Sequence, residues 1–145
     1  MKPFKLQAVL DYRKRYEDGV HKALLACQEE KDALAAARQA VEAEVHRLLS
    51  ELAAAKQKDV RIPDLMLYEE CIARQKAVVA DLDRKLAAAE TRVARKRAEL
   101  LKARQERRTL EILKEKREAA EEKRQQQQEA KFLDEVAVIG FGGHK

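Results

Sequence analysis

The amino-acid sequence predicts an all-α protein, a long antiparallel two-helix coiled-coil hairpin. Charged residues make up 39% of the chain and aromatic residues only 4%, with four glycines, two prolines and no tryptophan. Apolar residues also recur at heptad spacing on both sides of one central break. This combination is typical of long helices that bury a narrow apolar seam instead of a broad globular core.

The first helix is predicted to span residues 4 to about 58. Pro3 suits its beginning, because the first turn of a helix needs no backbone N–H donor. Two sets of core positions interleave at the 3–4 spacing of a coiled coil. One set is Leu6, Val20, Cys27, Leu34, Val41, Leu48 and Ala55, and the other is Leu10, Leu24, Val45 and Leu52, with polar residues at Arg13, Glu17, Lys31 and Arg38.

The turn between the helices is predicted at about residues 59–63, in the stretch KDVRIPDLM. Pro63 disfavours the α conformation in the residue before it, so we expect Ile62 to be extended and Asp64 to cap the next helix. A connection this short forces neighbouring helices to run antiparallel, and it pairs residues whose numbers sum to about 122. Leu48 is then expected near Gln75.

The second helix is predicted to span residues 64 to about 135. After Leu110 the apolar phase moves to Leu113, which indicates a stutter or the end of the paired region. Its core positions are Leu65, Ile72, Val79, Leu86, Val93 and Leu100 in one set and Tyr68, Leu82, Ala89, Ala103 and Leu110 in the other, with Gln75, Lys96 and Arg107 as polar members. Polar core residues lower stability but fix helix register.

The end of the chain is predicted to be a flexible tail over residues 136–145, since Gly140, Gly142 and Gly143 disfavour helix there. Residues 1–145 therefore form one coiled-coil domain. Phe132, Leu133, Val136, Val138, Ile139 and Phe141 form an apolar cluster after a very polar segment. This cluster either binds a partner or packs back on Phe4 and Leu6.

No catalytic or metal-binding constellation is recognisable, so the sequence predicts a protein that is not an enzyme and has no cofactor. His21, His46 and His144 lie far apart without thiols or carboxylates at metal-ligand spacing. The single serine, Ser50, has no triad partners, and no glycine-rich phosphate-binding motif is present. In the expected register Cys27 and Cys71 lie too far apart for a disulfide.

Residues 92–108 form a basic band, with eight Lys and Arg against Glu99 and Glu106. Such a band either docks an acidic protein, phosphates or an anionic membrane, or is simply a solvated face. It has no interleaved aromatic residues for base stacking, so nucleic acid is not an expected partner. No apolar run approaches the roughly 20 residues of a membrane span, and a signal-peptide core is lacking, which favours a cytosolic protein.

Both ends of the chain resemble FliJ-type flagellar export proteins. The resemblance rests on the opening FKLQAVLDYRKRYEDGVHKAL and on the run RRTLEILKEKREAAEEKR followed by FLDEVAV. It implies a cytoplasmic component of the flagellar type III protein export apparatus, peripherally associated with the inner membrane at the flagellar base. The hairpin of this family is similar to the central stalk of rotary ATPases, and the end with both termini is expected to enter the hexameric ring of the export ATPase.

The resemblance also implies contacts with the cytoplasmic domain of the export-gate membrane protein and with export substrate chaperones. The expected ATPase-ring surface, called the ring surface below, is Phe4, Leu6, Leu10, Arg13, Glu17, Leu110, Leu113, Lys114, Arg117, Phe132, Asp134 and Glu135. The expected export-gate surface, the gate surface, is Leu48, Leu52, Ile72, Lys76 and Val79. The alternatives are the stalk protein of a virulence-type secretion system or a rotary ATPase, and a generic coiled-coil adaptor or nucleic-acid binder.

Overall fold

The structure, a computed structural model, describes residues 5–142 and their side chains as far as residue 140. Helix α1 spans Gln7–Lys56 and helix α2 spans Ile62–Gly142. The two helices pack against each other, and no strand occurs within residues 5–142. The all-α helical hairpin predicted from the sequence is therefore confirmed.

The chain divides into two compact units, each built from parts of both helices. The terminal unit comprises residues 1–18 and 102–145, and the turn unit comprises residues 19–101. Within each unit the segments of α1 and α2 run antiparallel, as the short connection requires.

The connection in the turn unit is short and hydrogen-bonded at both ends. After α1 ends, the N–H of Gln57 donates to the carbonyl of Ala54 at 3.2 Å. Before α2, the carbonyl of Arg61 accepts from the N–H groups of Asp64 and Leu65, at 3.0 and 3.3 Å. Ile62 is helical and Arg61 occupies the capping position, so the expectations of an extended Ile62 and a capping Asp64 were wrong.

The reason for this difference lies in the first turn of α2. Pro63 falls there, where its missing N–H leaves no intrahelical hydrogen bond unmade. Asp64 is one residue further into the helix, where its carboxylate still interacts favourably with the positive end of the helix dipole.

The buried residues lie on the predicted heptad seam. In the turn unit one cluster joins Val20 and Leu24 to Val93 and Leu100, with Cys27 packed against it. A second cluster joins Val45, Leu52 and Ile72, with Leu48, Leu65, Tyr68 and Val79 packed against it. All ten apolar residues that are buried in the described part of the chain, which also include Leu10, Ala89 and Ala103, occupy predicted core positions.

Ion pairs between the helices confirm the predicted register. In the turn unit Arg92 donates to Glu30 at 2.9 Å, and Arg38 donates to Asp83. Arg38 is one of the polar core positions, and its partner lies on the other helix. Arg38 therefore engages a specific partner across the interface, which supports the expected role of this polar seam residue in fixing register.

The second half of α2 differs from the sequence expectation in two respects. The half-buried positions continue in the same heptad phase through Leu110, Lys114 and Arg117, while Leu113 is exposed, so the predicted phase change was wrong. The helix also continues to Gly142 instead of ending near residue 135. A single helical glycine costs only about 1 kcal/mol relative to alanine, and no glycine of the described segment has a positive φ that would end the helix.

Candidate partner-binding surfaces

The ring surface predicted from the sequence falls in the terminal unit. Phe4, its first member, lies outside the described residues. Leu10 and Ala103 are each 1% exposed and are the buried apolar residues of the described part of this unit. A partner cannot contact Leu10 while the two helices stay packed, so Leu10 supports the surface from beneath.

Arg13 and Glu17 of the ring surface form ion pairs between α1 and α2. Arg13 donates to Glu106 at 2.5 Å, and Glu17 accepts a hydrogen bond from Arg107. Two hydrogen bonds raise the pKa of the Arg107 guanidinium: the one to Glu17 has the larger effect and the one to Glu111 the smaller. These two ring-surface residues therefore hold the terminal unit together, and a partner would have to compete for them.

The other ring-surface residues differ in how accessible they are. Leu110, Lys114 and Arg117 are half-buried. Leu6, Leu113, Phe132, Asp134 and Glu135 are exposed. The exposed members come from both ends of the chain, and they are the part of the predicted surface that is open to a partner.

The terminal unit also exposes aromatic residues that the sequence reasoning missed. Val9, Tyr12 and Tyr16 are exposed on α1, and the two tyrosine rings stack with centroids 6.4 Å apart and planes inclined by 22°. Their spacing of three and four residues places them on one face of the helix. This spacing was visible in the sequence, but it was overlooked because the three residues lie beside the heptad seam.

The end of α2 presents a further group of exposed apolar side chains. Every described side chain from Glu122 to Gly140 is exposed. Phe132 is 65% exposed and Ile139 is 74% exposed. Leu133, Val136 and Val138 are also exposed. The described members of the apolar cluster predicted in the tail are therefore on a helix and open to solvent, and the side chain of Phe141, the last predicted member, lies outside the described part of the chain.

The gate surface falls in the turn unit, and most of it is core. Leu52 and Ile72 are buried together with Val45. Leu48 and Val79 are half-buried and pack against that cluster. Of the five predicted residues only Lys76 is exposed. The heptad positions chosen from the sequence therefore stabilise this region, and they leave little for a partner to contact.

Apolar side chains that are open to solvent lie closer to the turn. Ile62, Met66 and Leu67 are more than half exposed at the beginning of α2. A shallow groove beside them is lined by Leu48, Ala55, Val60, Asp64, Leu67, Tyr68 and Cys71. Sequence reasoning missed Ile62, Met66 and Leu67 as surface residues because it assigned this stretch to the turn and the helix start.

The basic band is largely neutralised by carboxylates of the same chain. Arg92 pairs with Glu30, Lys96 with Glu99, Arg104 and Arg107 with Glu17, and Arg108 with Glu111. No ion pair of the described residues includes Arg95, Arg97 or Lys102. The band is consequently a pattern of paired charges and not a continuous cationic surface.

No described group of three or more histidine, cysteine, aspartate and glutamate residues is arranged to hold a metal ion. Cys27 and Cys71 are half-buried, and neither forms a disulfide. Within residues 5–142, neither helix has a stretch apolar enough to cross a membrane.

Comparison with known proteins identifies one family. The family model described as "Flagellar FliJ protein" matches residues 1–145, which is the whole chain. No curated protein and no solved structure matches the chain.

Proposed function

The chain belongs to the flagellar FliJ family, and from this premise we propose that it acts as the central stalk of the hexameric flagellar export ATPase. Membership of the family makes it a protein associated with flagellar protein export. The proposal adds a specific role, in which the terminal unit enters the ATPase ring. Contact with the export gate and the escort of export substrate chaperones complete the proposed function.

One observation supports the stalk role above the others. The chain before Gly19 and the part of α2 from Lys102 onward belong to the same compact unit, and both expose apolar side chains, among them Leu6, Leu113 and Phe132. Large apolar side chains without a partner are the usual anchors of protein interfaces. Asp134 and Glu135 add charges that can pair with basic residues of a ring.

Binding to the purified export ATPase tests this proposal. The double variant Leu113→Asp with Phe132→Asp should weaken binding by at least about tenfold, since burying one such side chain is worth roughly 1.5–3 kcal/mol. Leu101→Asp is the control, because the exposure of Leu101 lies between those of Leu113 and Phe132 but Leu101 belongs to the turn unit. Absence of any complex between the wild-type chain and the ATPase would remove the basis of the stalk role.

The proposed contact with the export gate is assigned to the region of the turn. Ile62, Met66 and Leu67 are exposed there, whereas the predicted gate residues Leu52 and Ile72 are buried. Met66→Asp with Leu67→Asp should reduce binding to the cytoplasmic domain of the gate protein and leave ATPase binding unchanged. Equal loss of both interactions would show that the substitutions act on folding and not on a gate-binding surface.

A further inference from the structure

Two exposed apolar surfaces of the terminal unit complement each other, and neither is covered by another described part of the chain. The first, the aromatic flank, consists of Val9, Tyr12 and Tyr16 of α1 with Leu113 of α2. The second, the tail stripe, consists of Phe132, Leu133, Val136 and Ile139 of α2. All eight side chains are exposed.

The four residues of the aromatic flank lie on one side of the two packed helices. Val9 is one turn before Arg13 on α1, and Arg13 donates to Glu106 of α2. Leu113 lies two turns after Glu106 and hence on the same face of α2. The Arg13–Glu106 ion pair therefore marks the side to which both helices contribute apolar residues.

The rim of the aromatic flank is basic. Lys5 lies four residues before Val9, just ahead of α1, and Lys102 and Lys116 lie on the face of α2 that bears Leu113. These lysines are exposed, and no ion pair of the described residues includes them. Glu106 is the acidic residue on this side, and its charge is neutralised by Arg13. The flank is thus suited to an apolar helix with acidic borders.

The tail stripe has this character. Phe132, Val136 and Ile139 follow one another at spacings of four and three residues, so they share one face of α2. Leu133 borders that face. Glu129 lies on the same side, where it lines a shallow groove together with Phe132 and Leu133, and Glu135 flanks it.

The tail stripe cannot reach the aromatic flank of its own chain. Helix α2 is continuous to Gly142, and at 1.5 Å per residue Phe132 lies about 28 Å beyond Leu113 along the helix axis. Contact within one chain would require the helix to break. A second copy of the chain has no such restriction.

We propose that the aromatic flank binds the tail stripe of a second copy of this chain. The contact is reciprocal, so that the tail stripe of each copy lies on the aromatic flank of the other. Glu129, Leu133 and Val136 have the same spacing as Lys5, Val9 and Tyr12. Each of the three tail residues can therefore lie beside its counterpart in the partner copy, which also places Ile139 near Tyr16. The tail runs parallel to α1 of the partner copy, so the two α2 helices run antiparallel. This exchange satisfies a twofold axis, which is the usual symmetry of homodimers. The inference does not depend on the proposed stalk role.

Sedimentation equilibrium of the full-length chain alone tests the dimer. Val136→Asp should weaken dimerisation by at least about tenfold, because it places a charge within the apolar contact. Val138→Asp is the matched control: Val138 is also an exposed valine of the same helix, but it lies off the stripe. On the aromatic flank, Leu113→Asp is the test variant and Ile112→Asp, at the neighbouring residue outside the flank, is its control.

Charge reversal gives a second readout that does not depend on stability. Lys5→Glu and Glu129→Lys should each weaken the dimer when alone, because like charges then face each other at both contacts. An equimolar mixture of the two variants should associate again, since both contacts then join opposite charges. A wild-type chain that stays monomeric overturns the proposal, as does equal sensitivity to Val136→Asp and Val138→Asp, or a mixture that fails to associate.

Discussion

Leu100 and Leu101 are adjacent on α2 but differ sharply in exposure. Leu100 is 5% exposed within the cluster of Val20, Leu24 and Val93, whereas Leu101 is 59% exposed. Replacing each by alanine removes the same atoms and changes helix propensity equally. The two variants together therefore isolate the contribution of the seam to stability.

The expected loss for Leu100→Ala follows from its burial. The removed carbon atoms are worth roughly 0.8 kcal/mol per methylene in transfer free energy, and the resulting cavity adds to this loss. Because the seam is only two helices thick, solvent and neighbouring side chains can fill part of the cavity. We therefore expect the low end of the usual range, about 2–3 kcal/mol, for Leu100→Ala, and less than about 0.5 kcal/mol for Leu101→Ala.

Urea unfolding followed by circular dichroism at 222 nm measures both values. The corresponding decrease in Tm is about 6–10 °C for Leu100→Ala and close to zero for Leu101→Ala. Equal destabilisation by the two substitutions would contradict the seam described above, and so would a larger effect at Leu101. Unchanged m-values would confirm that the comparison concerns the same unfolding transition.

Three further outcomes are expected. Glu17→Gln removes the carboxylate that Arg104 and Arg107 share. It should lower the free energy of unfolding by about 1 kcal/mol in low salt and by less in high salt, measured by urea unfolding at the two ionic strengths. The hydrogen bond from Arg107 lowers the pKa of Glu111 below its ordinary 4.5. The stability this pair contributes is therefore complete above that pH and is lost as the pH falls through the lowered pKa. Glu111→Gln should reduce the acid dependence of the free energy of unfolding by less than about 1 kcal/mol, measured by urea unfolding at neutral and acid pH. Ending the chain before Phe132 should leave Tm unchanged at a protein concentration too low for dimerisation, because the described side chains it removes are exposed in the single chain. A clear decrease in Tm under that condition would show that the tail packs on the rest of its own chain.

The heptad pattern was enough to predict which residues form the seam, because periodicity fixes the angular position of each residue on its own helix. Val20, Val93 and Ile72 were identified in this way, and all three are buried. The same pattern misled the choice of binding residues. Leu10 and Ile72 look like anchors in the sequence, but a residue that is ideal for the seam is covered by the other helix.

The surfaces open to partners were decided by tertiary structure. Tyr12, Tyr16 and Met66 lie beside the seam, and a two-helix seam is too narrow to cover such flanking positions. The sequence presented Arg107 and Arg38 as defects in the apolar pattern, and only the packed helices bring Glu17 and Asp83 to them. Their partners are distant in sequence, so periodicity along one helix contains no information about them.

The sequence by itself therefore determined the two helices, the turn, the register and the buried seam, all of which follow from local propensity and from a repeat that each helix carries alone. The tertiary structure decided which carboxylates neutralise which arginines, and it decided which apolar side chains stay exposed in the terminal unit and near the turn. The physical reason is that both properties depend on what the other helix covers, and that is fixed only when the two helices pack together.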